Sequence, residues 1–386
     1  MVNNSQIERE NNALVDFIKP EIALILRCLT SKLSTNNKNE INLLLKEKLD
    51  WQFILKNAKR HKVLPLLYVN LNRANFTSIP DRISQDIRNF SQANIQRNFL
   101  LTSELLQILK LFAENQIKAI PLKGPVLARL AYSNFGLRTV VDLDIIVKQQ
   151  DFVRAEQLLI KYGYKASSLN NSQIFQQAQY YKPHTLISID LHYEFAPKNH
   201  FISVESALFW QHLETFPIAN QNISIFSPEY LLIYLCLEGA KEFWRTLNRI
   251  CDVSELIINQ EIDWNLLLKS ADELHKKKVV FLGLFLARTF LNTPIPDDVW
   301  TEVNSYLKIK LSQKEICRFL FRPKFNLLLA IQWHLFNLQT FNSSFGKLPY
   351  LREVVRVNFQ VKKNEMQKSR SKKLNSMAHQ ERNLLK

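Results

Sequence analysis

The chain has 386 residues, 46% of them hydrophobic, enough to bury a sizeable core as two domains or as one domain with large helical additions. Glycine is scarce, at 6 residues, and neither G-x-G-x-x-G nor G-x-x-x-x-G-K-[ST] occurs, which argues against a Rossmann or P-loop cradle. The formal net charge of +16 either attracts polyanions (nucleic acid, nucleotides, acidic lipid) or simply solubilises a helical protein.

Apolar residues at helical spacing from Ala13 to about 34 predict helices at the start of the chain, with Pro20 at a first-turn position. Residues 40–73 predict further helices that bury Trp51, Leu55, Ala58, Val63, Leu66 and Leu67. Ile79-Pro80-Asp81 is a break, and 82–115 reads as one long helix or two abutting ones. Ile117–Leu122 then reads as a short strand, Lys123-Gly124-Pro125 as a turn, and Val126–Tyr132 as a helix with Pro125 at its first position. After a loop at Ser133–Leu137, the alternating, β-branched run Thr139–Val147 predicts a strand. Asp151 is a capping candidate for a helix over Phe152–Tyr162, which Gly163 ends. Leu186–Phe195 alternates again and predicts another strand. From Ser227, an N-cap candidate before Pro228, the chain is expected to be helical through about 249, over 251–259, 263–275 and 278–291, and from a turn at Asn292–Asp297 to about 340.

This layout divides into an N-terminal helical region (1–95), an α/β core (96–225), a C-terminal helical domain (226–345) and a basic tail (346–386). The tail, with Lys362, Lys363, Lys368, Arg370, Lys372 and Lys373, is expected to be a flexible arm able to contact polyanions. Cys28, Cys236, Cys251 and Cys317 show no C-x-x-C spacing, which argues against a zinc site or redox pair. The polar stretch Met1–Asn11 lacks a signal-peptide pattern, and no apolar run reaches the ~18 residues of a membrane span. A cytoplasmic, reduced protein is expected.

The chemistry centres on Val141-Asp142-Leu143-Asp144-Ile145-Ile146-Val147. On a strand, residues i and i+2 share a face, so Asp142 and Asp144 project together. Two aligned carboxylates in an apolar strand repel each other and pay for desolvation, a cost that divalent cations remove. Mg²⁺ prefers carboxylate and phosphate oxygens, and two such ions can clamp the attacking and leaving oxygens of an in-line phosphoryl displacement. The alternative is an edge strand with two solvated aspartates. Upstream, Gly124 would let backbone approach phosphates at a helix N-terminus and Lys123 would neutralise them, unless this is an ordinary turn. Arg138, four residues before Asp142, could grip a triphosphate or orient a carboxylate, or form a surface salt bridge. Ser188-Ile189-Asp190-Leu191-His192 supplies a third carboxylate, as ligand or base, if its strand lies beside the first. His192 shares the Asp190 face and could contact substrate or orient Asp190; the alternative is a structural histidine with satisfied ring nitrogens.

Lys123-Gly124, Arg138-x-x-x-Asp142-Leu143-Asp144-Ile145-Ile146-Val147 and Ile189-Asp190-Leu191-His192 together resemble the uncharacterised nucleotidyltransferase family of the DNA polymerase β-like superfamily. Trp51–Leu67 (with Ala58, His61 and Pro65) and Leu235–Asp252 (with Trp244, Leu247 and Asp252) resemble its helical parts, extending the likeness over roughly 45–300. The resemblance implies an α+β fold, a small mixed-sheet palm flanked by helical regions. It implies three metal-binding carboxylates, here Asp142, Asp144 and Asp190, holding two Mg²⁺ or Mn²⁺ ions. It also implies transfer of a nucleoside monophosphate from an NTP such as ATP to an unidentified acceptor (small molecule, protein or RNA), with pyrophosphate leaving. Lys123-Gly124-Pro125 replaces the superfamily's usual Gly-Gly or Gly-Ser pair. Glu238-Gly239-Ala240-Lys241-Glu242 stands where a His-Gly-x-x-His-like run is common. Glu238 and Glu242 share a helix face and could bind a cationic acceptor, be solvated, or form salt bridges to the neighbouring Lys241 and Arg245. Two other readings compete: a non-catalytic nucleotide- or nucleic-acid-binding protein, and a toxin–antitoxin-type interaction partner.

Overall fold

The computed structural model describes residues 18–74, 79–167, 176–185, 187–196, 202–307, 316–317 and 320–321. The basic tail, the helix expected before Ile18 and most of the helical stretch expected after 307 lie outside the described residues.

Four short helices come first: α1 (Pro20–Arg27), α2 (Thr35–Leu44), α3 (Trp51–Arg60) and α4 (Leu64–Arg73). Asp50 caps α3 by accepting from Phe53 N at 2.9 Å. Helix α5 (Asp81–Glu114) is one continuous helix of 34 residues, about 50 Å long at 1.5 Å per residue.

A five-stranded sheet follows in the order β1-β2-β5-β4-β3. Its strands are β1 (Ala119–Pro121), β2 (Leu143–Val147), β3 (Lys165–Ala166), β4 (Gln177–Tyr181) and β5 (Ser188–His192). Strand β2 runs parallel to β5, and every other pairing is antiparallel. Helices α6 (Gly124–Tyr132) and α7 (Phe152–Lys161) fill the connections. A separate hairpin, β6 (Leu213–Ile218) and β7 (Gln221–Phe226), packs against β1. Helices α8 (Pro228–Lys241), α9 (Leu247–Asn259), α10 (Trp264–Glu273), α11 (Lys277–Leu291) and α12 (Asp297–Leu307) complete the fold. The expected α+β class is the one observed. Strand β2, flanked by β1 and β5, is buried along its whole length, as its Leu143, Ile145, Ile146 and Val147 side chains require.

Several local expectations change. The strand expected over Thr139–Val147 begins only at Leu143. Its partner β1 ends at Pro121 and Leu122, whose N–H still reaches Asp144 O at 2.9 Å, before the chain turns into α6 at Gly124. Side chains of α5 instead satisfy the carbonyls of Gly136, Arg138, Val140 and Val141. Asn94 Nδ2 donates to Gly136 O (3.0 Å), Asn98 Nδ2 to Arg138 O (2.8 Å), and Arg97 to Val140 O (3.1 Å) and Val141 O (2.6 Å). Buried carbonyls need partners, and here side chains replace a neighbouring strand. Strands β3, β4, β6 and β7 were not expected; the hairpin turns at Ala219 (φ 50°) and Asn220, without the Asn-Gly or Asp-Gly signal of such turns. Asp151 occupies the N-cap position of α7, but its carboxylate pairs with Arg154 at 3.1 Å rather than with backbone N–H groups. Ser227 likewise precedes α8 and donates to Glu229 at 2.9 Å instead of capping. Gly163 does end α7, at φ +100° with its N–H on Ile160 O. All four cysteines are free and buried.

Candidate active site

The parallel pairing of β2 and β5 builds the centre of the site. Its register sets Asp144 opposite Asp190 and Ile146 opposite His192. Asp190 and His192 share one face of β5, so the imidazole lies diagonal to Asp144. Asp142 sits in the bend just before β2, half-buried. A cavity of about 250 Å³ opens over these four residues. Gln177 borders it, and Gln179 on β4 donates to Asp190 Oδ1 at 3.1 Å, orienting that carboxylate.

The opposite wall is helical, formed by Glu238 and Lys241 of α8, Glu242 beyond it, and Asn248 and Arg249 of α9. Lys62 reaches the same cavity from the turn between α3 and α4. That turn is a Schellman motif, with Val63 N on Ala58 O (2.9 Å), Lys62 N on Lys59 O (3.1 Å) and Lys62 at φ 58°. Its preceding residue, His61, is fixed to the start of α9: Nδ1 accepts from Leu247 N at 3.2 Å. Burial keeps the His61 imidazole at a pKa of about 3, so it is neutral and free to accept.

The sequence-expected residues do not all meet the cavity in the roles expected. Asp142, Asp144, Asp190, His192, Lys123 and Arg138 all border it; Gly124 does not. Gly124 is buried behind Asp142 O, and its φ of +66° serves the turn between β1 and α6. Lys123 is buried, with Nζ 2.7 Å from Glu238 and 3.2 Å from Asp144, rather than standing open to phosphates. Arg138 is no surface residue. It makes a bidentate pair with Asp252, Nε–Oδ1 at 2.8 Å and Nη2–Oδ2 at 2.9 Å, and Tyr132 donates to the same carboxylate at 2.7 Å. It therefore orients a carboxylate, while still bordering the cavity. Glu238 is buried rather than solvated, held by Lys123 and by Lys241 at 3.2 Å. Glu242 pairs with Arg249, Nε–Oε2 at 2.8 Å. The glycine between them is sterically required: a Cβ on Gly239 would lie 2.4 Å from the Trp244 ring. Sequence reading missed Lys62, Arg249, Asn248 and Gln177. The one available signal was the Gln177-Ala178-Gln179 alternation, since the others reach the site from helices far away in sequence.

Charge is distributed unevenly. Burial, then the charges of Asp144 and Asp190, pushes Asp142 up to about 6. Burial and Asp144 raise Asp190 as well. Burial also opposes ionisation of Asp144, but Lys123 wins and holds it below the ordinary carboxylate range. His192 Nε2 stands 3.5 Å from Asp144 Oδ1, too long for a hydrogen bond, and neither ring nitrogen has a partner although both are buried. Among the described residues, ligand atoms of Asp144, Asp190 and His192 lie within 4.8 Å of one another, close enough to share a metal ion. Oxygen donors in mutual repulsion beside an orphaned imidazole form a donor set suited to a divalent cation.

Residues 47–292 match the model of a family described as uncharacterised nucleotidyltransferase. The chain belongs to that family. A solved structure described as an antigenic nucleotidyltransferase-like protein from Paracoccidioides brasiliensis is similar to 54% of this chain and 96% of its own, at 14% identity. Its TM-score of 0.34 makes this a loose likeness, without weight for the site. No curated protein matches the chain. Among the described residues, no helix is long and apolar enough to cross a membrane. Membership in the family supports a nucleotidyl-transfer role of general kind and an NTP as substrate.

Proposed function

We propose that the chain is a metal-dependent nucleotidyltransferase that moves a nucleoside monophosphate from an NTP to an acceptor and releases pyrophosphate. The observation that carries this reading is the meeting of Asp142, Asp144 and Asp190 at one end of the β2–β5 pair, with Lys123 as the one ammonium within ion-pair distance among the described residues. Mg²⁺ or Mn²⁺ ions bound there would polarise the phosphate and lower the barrier to in-line displacement. Asp142, Asp144 and Asp190 are the residues that would hold them. Gln179 keeps Asp190 turned toward the cavity, and a carboxylate so placed also suits taking the proton of an acceptor hydroxyl. Lys123 holds Asp144 ionised and in place through the Glu238 bridge. Lys62, which has no carboxylate partner among the described residues, is placed to meet the polyphosphate, with Arg138 contributing positive field from behind.

One feature favours a different reading, a nucleotide-binding protein without catalysis: the Lys123 ammonium already neutralises part of the charge a metal would neutralise. Incubating the purified chain with each labelled NTP, Mg²⁺ or Mn²⁺ and cell extract separates the two. Label transferred to protein, RNA or a small metabolite, and lost in Asp190→Asn, supports transfer. Nucleotide binding without transferred label under any of these conditions overturns it.

A further inference from the structure

Among the described residues two histidines are buried, His61 next to the cavity-lining Lys62 and His192 in the cavity wall, and they differ in one respect. His61 has partners on both ring nitrogens, Leu247 N at 3.2 Å and Arg60 Nη2 at 2.8 Å. His192, with a side chain 5% exposed, has no hydrogen bond on either, and its Nε2 stands at an ion-pair distance of 3.5 Å from Asp144 Oδ1. A buried polar group without a partner costs stability, and native proteins retain few of them. The Nε2 edge of His192 faces Asp144, and Asp190 stands two residues away on the same strand face. These three residues come from two adjacent strands, so the backbone fixes their spacing. Two ligands of one ion, with bonds of about 2.1 Å, lie at most about 4.2 Å apart. Ligand atoms already within 4.8 Å of one another need only a rotamer-scale adjustment to close.

We infer that His192 is a nitrogen ligand of the divalent site, beside Asp144 and Asp190, and that it makes the site prefer a first-row transition ion to Mg²⁺. This rests on reading the site as a metal centre. The preference follows from ligand chemistry. Mg²⁺ takes hard oxygen donors and gives up water reluctantly, whereas imidazole suits transition ions, whose affinity rises from Mn²⁺ through Co²⁺. A site of carboxylates alone would lack this bias.

The test is metal binding by the full, chelator-stripped chain, independent of turnover. Co²⁺, Mn²⁺ and Mg²⁺ are titrated calorimetrically into wild type, His192→Ala and the near-isosteric His192→Asn, with thermal melts as the check on folding. Electron spin echo spectra of bound Mn²⁺ report a coordinated imidazole nitrogen directly. Wild type is expected to show that nitrogen modulation and to bind Co²⁺ at least ~10-fold more tightly than Mg²⁺. In His192→Asn the modulation disappears and Co²⁺ affinity falls ~10-fold or more, while Mg²⁺ affinity stays within ~3-fold. A wild-type Mn²⁺ spectrum without nitrogen modulation overturns the inference, as does an unchanged Co²⁺/Mg²⁺ ratio in the folded variants or no metal binding at millimolar concentration. Transfer activity with no nitrogen modulation sinks this inference and spares the proposed function; nitrogen modulation without transfer does the reverse.

Discussion

The two walls of the cavity treat charge in opposite ways. On the sheet wall, Asp142, Asp144 and Asp190 crowd together, with Lys123 reaching only Asp144. On the helical side each carboxylate has a cation: Glu238 holds Lys123 and Lys241, Glu242 holds Arg249, and Asp252 holds both forks of Arg138. Burial opposes ionisation on both sides. On the helical side the partners win, and Glu238 and Asp252 are held below the ordinary carboxylate range. On the sheet side Asp142 rises to about 6 and Asp190 rises too. The sign of the shift thus follows the pairing: Asp144, which Lys123 reaches, is held low like Glu238 and Asp252, whereas Asp142 and Asp190, without a cation partner among the described residues, are raised. The paired acids tie the C-terminal helices to the α/β core; on the proposed reading, the unpaired ones would take a divalent cation.

The largest effect that would sharpen this contrast is on activity. Asp190→Asn is expected to reduce nucleotidyl transfer by roughly 10³-fold or more while leaving the melting temperature near wild type, since it removes a charge that the fold does not use. A transfer rate within tenfold of wild type would break the contrast. The converse holds across the cavity. Arg138→Ala strands the buried Asp252 carboxylate and is expected to cost roughly 3–5 kcal/mol in urea denaturation. A stability loss under 1 kcal/mol would mean that the pair is not structural. A smaller effect is expected at Lys62, the exposed cation between the two regimes. Lys62→Ala should weaken Mg²⁺-ATP binding roughly tenfold, read by calorimetry, without changing the melting temperature. Equal affinity in the two proteins would remove Lys62 from the nucleotide site.

Two smaller effects follow from Asp142. Its folded-state pKa of about 6 lies above the ordinary carboxylate value, so its contribution to stability is present at low pH and lost as pH rises through about 6. Above pH 6 and in chelator, the neutral Asp142→Asn is therefore expected to be more stable than wild type by roughly 1–2 kcal/mol, allowing for solvent screening, with the gain vanishing below pH 4. Equal melting temperatures at pH 8 would contradict it. The same proton competes with metal, so Mn²⁺ affinity of wild type should climb as pH rises through 6. A flat affinity between pH 5 and 7.5 would show that Asp142 is ionised throughout.

Reading the chain from its residues found the sheet wall and largely missed the helical one. Asp144, Asp190 and His192 were legible because strand geometry has a period of 2 and their apolar neighbours mark the opposite face, whereas Asp142 borders the cavity from the bend before β2 rather than from the strand expected for it. The helices were legible from their 3.6-residue pattern, and α5, α10 and α11 appear where that pattern placed them, whereas the break expected near 250 falls at 242–246, between α8 and α9. The start of β2 was misplaced because Thr139–Val141 have strand-like side chains but no strand beside them; Arg97 satisfies the Val140 and Val141 carbonyls instead. The β6–β7 hairpin was missed because its turn uses Ala219 where glycine or asparagine is usual.

The sequence alone determined that Asp190 and His192 share a face, because a strand's alternation is a local property of the backbone. It also pointed to the family, through the order of short motifs. Only the tertiary structure decided that Asp144 stands opposite Asp190, that Lys123 is spent on Glu238 at 2.7 Å, and that Lys62 reaches the cavity from a turn 61 residues before Lys123 (123 − 62). Those choices belong to long-range packing: whether a buried charge is paired depends on which element the fold brings against it, and no local pattern encodes that.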